Sequence, residues 1–215
     1  MKRNFFLQLI SVLAVVLYSL SVKAEPVAPA IAEQWAEQKG QQLLTTFRIP
    51  DVEERFQKLD SLFLQYIDLD YISRFVMGRY WRVMTPEQKQ QFQNIFRRYA
   101  LAMYKTLPLE FADKLQYQVG AAGIDGEFTN ISADVSYQLG TNNAPQTAKV
   151  WFKLHQTSSG IKLVDISLEQ SSLILAYRQR FAEMITNLDG EIEWFIEDLN
   201  DLSVSAEAQN QAKLK

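Results

Sequence analysis

Groups that could carry out a reaction are few in this chain of 215 residues, and they are scattered. The one histidine, His155, stands beside an expected turn on the polar side of an expected strand, which reads as a surface position. A lone histidine cannot build a multi-histidine metal site. The absence of cysteine excludes disulfides, thiol nucleophiles and cysteine-ligated metals. No Gly-x-Ser-x-Gly, His-Glu-x-x-His, phosphate-binding loop or Gly-x-Gly-x-x-Gly pattern occurs. Asp68 and Asp70 are close in sequence, but they precede a helical pattern, and capping explains them better than a catalytic dyad. Asp165 is more unusual, because it lies inside the apolar run Leu163-Val164-Asp165-Ile166. It reads as a structural carboxylate paired with Arg74 or Arg79, with a group at a pocket rim as the sharper alternative.

The charge balance narrows the partners. Lys2 and Arg3 precede an uncharged run from Phe5 to Leu20, and Val22 and Ala24 stand at −3 and −1 of a small-residue cleavage site. This is the layout of a cleaved signal peptide over residues 1–24 and implies export, which in a chain without cysteine is compatible with a bacterial periplasm. The apolar run is shorter than the roughly 20 residues a membrane anchor needs. Of the 22 basic residues, Lys2, Arg3 and Lys23 fall in this leader, leaving 19 against 25 acidic residues, or about −6. A mildly acidic domain lacks the basic footprint of a nucleic-acid binder and is not held on anionic lipid by charge.

What the chain has in excess is large apolar side chains, and the elements that position them follow from their spacing. Asp68 to Leu107 reads as two helices joined at a corner. Tyr71, Ile72, Phe75, Val76, Met77, Tyr80 and Trp81 leave little of the first polar, so it must be covered on several sides. Thr85, Pro86 and Gln88 mark the start of the second. Phe92, Ile95, Phe96, Tyr99, Ala100, Met103, Tyr104 and Leu107 then form its apolar stripe. Earlier helices are expected from Ile31 to Phe47 and, after Ile49-Pro50, through Val52, Phe56, Leu59 and Phe63.

Beyond Pro108 the period changes to 2. Strands are expected at Lys114–Val119, ended by Gly120 and Gly123, at Asn130–Leu139, at Lys149–His155 and at Ile161–Glu169. Gly140–Pro145 forms a turn between the second and third. Helical spacing returns from Leu173 through Tyr177 and Phe181 to Leu188, with Gly190 ending that helix, and a last helix covers Glu191–Leu202. The fold class is therefore α+β: a twisted antiparallel sheet of about four strands packed on a helical layer. Residues 25–203 make one domain, and 204–215 form a disordered polar tail.

The stretch Phe75-Val-Met-Gly-Arg-Tyr-Trp through Tyr104 resembles the central signature of the MlaC family, also called the toluene-tolerance or ABC-transporter auxiliary family. Gly78, Tyr80, Trp81, Thr85, Pro86, Gln88, Phe92 and Phe96 match its order and spacing, and Asp165, Ser172 and Phe181 fall on family-like positions. The resemblance runs from about Phe47 to Leu199. It implies an apolar cavity between sheet and helices that holds phospholipid acyl chains. It also implies a monomeric periplasmic shuttle between an inner-membrane ABC transporter, with its anchored substrate-binding ring, and an outer-membrane lipoprotein complex that maintains outer-membrane lipid asymmetry. No cofactor, metal or reaction is implied. The candidate pocket residues are the apolar faces: Leu69, Ile72, Phe75 and Val76, then Phe96, Tyr99 and Met103, with Val135, Tyr137, Val150, Phe152, Ile166 and Leu168 from the sheet, and Leu173 and Tyr177 from the helix after it. Two other carriers or functions stay open on the residues: a hopanoid carrier, and an enzyme of the ketosteroid-isomerase kind using Tyr137 and Asp165. An interaction module with a solid core is a third.

Overall fold

The computed structural model describes residues 25–106, 115–138, 144 and 146–214. The leader, Leu107, Lys114, Leu139 and most of the Gly140–Pro145 turn lie outside these residues. Helix α1 spans Pro29–Phe47, and α2 spans Val52–Tyr66, capped by the Asp51 carboxylate, which accepts from the Glu54 N–H at 2.7 Å. The central pair forms as the spacing requires: α3 over Leu69–Met77, a 3-10 turn at Tyr80–Arg82, and α4 over Pro86–Thr106. Asp68 caps α3 by accepting from the Tyr71 N–H at 2.8 Å. Thr85 and Gln88 form a reciprocal capping box: each backbone N–H donates to the other's side chain, at 2.9 and 3.2 Å.

Among the described residues five strands follow, β1 Gln116–Asp125, β2 Phe128–Tyr137, β3 Gln146–Thr157, β4 Gly160–Leu168 and the short β5 Ser171–Ser172, in one antiparallel sheet of order β1-β2-β3-β4-β5. Two departures from the sequence expectation have clear causes. β1 does not end at Gly120 and Gly123. Gly120 and Ala121 together oppose Ser132 in a bulge, which absorbs the weak positions and lets pairing run on to Asp125. The fifth strand is two serines that pair with Ser167 and Leu168, too short to show a period.

Helices α5 (Leu173–Asn187) and α6 (Ile192–Ala212) complete the chain. The expected disordered tail is instead helical to Ala212. Ser203, Ala206 and Asn210 continue the buried stripe of Ile192, Phe195, Ile196 and Leu199, and the Asn210 amide donates to the Ala102 carbonyl at 2.8 Å. Small and polar residues hid that face. Arg98 adds a clasp between α4 and α6, donating to both Glu207 carboxylate oxygens and to Asn200.

Among the described residues there are two cores. Helices α3 to α6 enclose Phe92, Phe96, Phe181 and Phe195, whose ring centroids lie 5.2 to 6.2 Å apart. Helix α1 covers part of one sheet face, packing Ala32 and Ala36 on Ile131 and Leu154. Gly40 permits the closest part of that approach: a Cβ there would lie 2.3 Å from the Tyr117 ring.

Candidate lipid-binding site

The sheet positions all the candidates that the sequence assigned to it on one face. Pairing aligns Ile131, Phe152 and Ile166 in one row, and Ala133, Val150 and Leu168 in the next, with Val135 and Tyr137 following along β2. The face is covered unevenly. Ile131 is buried under α1 and Ala133 beside it is also buried, while Val135, Tyr137, Val150, Phe152 and Ile166 are half-buried and Leu168 is 55% exposed. Apolar sheet surface left half-covered is a surface able to take an apolar ligand.

The helical candidates divide differently. Leu69, Ile72, Val76, Phe96 and Tyr99 are buried in the helical core, and Phe75, Met103 and Tyr177 are half-buried against it. Leu173, at the start of α5, is 48% exposed. Leu173 and Leu168 are brought to the same end of the sheet by the β4–β5 pairing. Among the described residues, two of the open hollows lie elsewhere and use none of the candidates. One, of about 930 Å³, is a cleft between α1 and α2 lined by polar residues such as Gln38, Gln41 and Lys58; the other, of about 400 Å³, lies between α4 and α6.

Two polar groups that join helices to the sheet differ from their sequence reading. Asp165 pairs with neither Arg74 nor Arg79. Its carboxylate accepts from the Ser172 hydroxyl at 2.6 Å and from the Ile174 N–H at 3.2 Å, and Ser172 in turn accepts from the Leu175 N–H as the cap of α5. A bulge at Val164, which leaves Lys153 opposite Asp165 and Leu154 opposite Leu163, sets this position, and no sequence period reveals it. The register also puts Asp165 and Tyr137 on opposite faces of the sheet, so they do not converge on one substrate.

His155 is not a surface residue. Its Nε2 lies 2.9 Å from the second Asp68 oxygen, and Tyr71 and Phe128 flank the ring at 5.5 and 6.1 Å. One carboxylate therefore caps α3 and ties it to β3. The sequence reading also missed the contact in which the Tyr104 hydroxyl donates to Asp60 at 2.5 Å and Lys105 bridges to the same carboxylate at 2.7 Å. Burial, then that hydrogen bond and the Asp60 charge, push the Tyr104 hydroxyl far up from the usual phenol range. Burial and the adjoining Tyr99 likewise push Tyr177 up to about 12. Among the described residues no group of three or more metal-binding side chains converges, and no helix is long and apolar enough to cross a membrane.

Comparisons with known proteins agree with this architecture. Among the solved structures that match is the phospholipid-binding protein from Ralstonia solanacearum in complex with a phospholipid, with a TM-score of 0.63 at 20% identity, covering 84% of this chain and 99% of its own. At that identity the likeness shows a shared fold. No curated protein matches this chain. The family model described as MlaC protein matches residues 38–201, which is most of the chain. With its helix–corner–helix signature in place and its sheet open on one apolar face, the chain belongs to the MlaC family.

Proposed function

We propose that this protein is an exported carrier that binds phospholipid by its acyl chains and moves it through a periplasm. The observation that carries this reading is the half-covered apolar sheet face of Val135, Val150, Phe152 and Ile166, open toward Leu168 and Leu173. Family membership and the phospholipid-bound neighbour support it. Each methylene taken from water onto such a face gains about 0.8 kcal/mol, so one chain of some sixteen carbons contributes on the order of 12 kcal/mol. A ligand held that tightly does not leave into water on a useful timescale. It must pass directly to another apolar site. An inner-membrane ABC transporter with its anchored substrate-binding ring at one end, and an outer-membrane lipoprotein complex at the other, are the partners this reading proposes. It includes no chemical step, and the dispersed titratable groups support a carrier over an enzyme.

Mass spectrometry of the organic extract from protein purified without detergent tests this directly. Near-stoichiometric phospholipid is the expected result. A well-folded preparation free of any lipid would refute the carrier, and a polycyclic lipid in place of phospholipid would reassign its cargo.

A further inference from the structure

One flank of α5 carries polar chemistry that the apolar face does not use. Leu173, Tyr177 and Arg180 recur at i, i+4 and i+7 and so share a side of the helix. The other flank is committed elsewhere: Arg178 lies over the Phe75 ring at 5.1 Å and against Gly78. Tyr177 stands edge-on to Tyr99, with ring centroids 6.1 Å apart and planes at 87°. Tyr99 is 1% exposed, and its hydroxyl, although near that of Tyr177, has no partner in hydrogen-bonding geometry among the described residues. A buried hydroxyl without a partner is costly, and such groups in native proteins call for an explanation. Arg180 is exposed and lies close enough to the Tyr177 hydroxyl to favour its ionised form, yet among the described residues it makes no salt bridge.

We propose that Tyr177 and Arg180, backed by Tyr99, form the anchor for the glycerol–phosphate part of a bound phospholipid. This rests on the carrier reading above and adds the polar end of the same ligand. The strip runs from Leu173, beside the open end of the sheet face, to a cation. The acyl chains lie on the sheet, and the ester carbonyls and phosphate reach the strip. Those ligand groups are all acceptors, and the strip offers donors. Tyr177 keeps its proton well above neutral pH and donates to an ester carbonyl. The guanidinium forks onto phosphate oxygens. Tyr99 is a positioning residue: its hydroxyl, unpartnered without ligand, donates to the Tyr177 oxygen in the lipid-bound protein as the Tyr177 proton turns to the ligand.

Three acyl-labelled fluorescent probes separate the parts: a pyrene-labelled phosphatidylglycerol, the matching diacylglycerol, and a pyrenyl alkane. Each is titrated into the whole mature protein and its Arg180→Gln, Tyr177→Phe and Tyr99→Phe variants. The anchor requires Arg180→Gln to weaken phosphatidylglycerol by about tenfold, as loss of one charge-assisted contact implies, while sparing the other two probes. Tyr177→Phe and Tyr99→Phe must weaken both ester-bearing probes and spare the alkane. Tyr99→Phe removes an unpartnered hydroxyl, so its thermal unfolding stays at or above that of the parent, which separates anchoring from folding. Equal binding of phosphatidylglycerol by all variants, or a parallel loss of alkane binding, would overturn the anchor. Failure of the parent to take up any probe would overturn the carrier reading itself.

Discussion

Replacing Asp165 with alanine should destabilise the protein by about 3 kcal/mol, and the figure can be worked from its contacts. Asp165 is 8% exposed and accepts two hydrogen bonds, from the Ser172 hydroxyl at 2.6 Å and the Ile174 N–H at 3.2 Å. Hydrogen bonds to a charged group contribute roughly 1.5–3 kcal/mol each, and their loss leaves the Ile174 N–H buried at a helix end without a partner. Against that sum stands the release of a carboxylate from a costly buried setting. The net falls between one such bond and two. Asp165→Asn keeps an acceptor for one contact and should cost about half as much. Urea unfolding followed by circular dichroism is the assay. With a slope of about 2 kcal/mol per molar, the alanine variant's midpoint drops by roughly 1.5 M at unchanged slope. A shift under about 0.3 M would refute the idea that this carboxylate fastens α5 to the sheet.

Further outcomes follow from other contacts. Gly78 ends α3 at φ +52°, and a Cβ there would meet the Arg178 guanidinium at 2.9 Å; Gly78→Ala should cost about 1–2 kcal/mol in the same assay, and a neutral result would contradict the strain. Val76→Arg puts a charge into a site 1% exposed and should unfold the domain, whereas Phe152→Arg, on the half-covered sheet face, should fold and lose its lipid; a folded Val76→Arg variant would show that the helical core is hollow. Tyr177 and Tyr104 are both raised above the unfolded phenol value near 10. Their stabilisation is complete below pH 10 and is lost as pH climbs from 10 toward 12 for Tyr177 and beyond that for Tyr104. Circular dichroism should show stability falling above pH 10, and a profile flat to pH 12 would contradict their burial.

The residues differ in how much of this they announced. Thr85, Pro86 and Gln88 announced the α4 start because capping is local chemistry, and it formed as spelled. The alternation through Ile131, Val135, Val150 and Phe152 placed these side chains on one sheet face, because a period of 2 leaves no other choice. What stayed illegible depends on register. A bulge residue, Val164, sets where Asp165 points, and strand pairing carries His155 to Asp68 from 87 residues away. Nor could an apolar stripe separate core from ligand surface. Val76 and Phe152 look alike in sequence, yet one is sealed among helices and the other is half-open. The last turns of α6 were hidden for the opposite reason, since Ser203, Ala206 and Asn210 make a buried face without large apolar residues.

Adjacent residues on opposite sheet faces allow the position of the bound lipid to be tested with an internal control. A photo-crosslinking phenylalanine analogue placed at position 152 points from the face shared with Ile131 and Ile166, and the same analogue at Trp151 points from the other. Irradiation in the presence of a radiolabelled phospholipid should label the protein at 152 and leave 151 unlabelled. Equal labelling at the two positions, or labelling at 151 alone, would show that the lipid does not lie on the apolar face of Val135, Val150, Phe152 and Ile166.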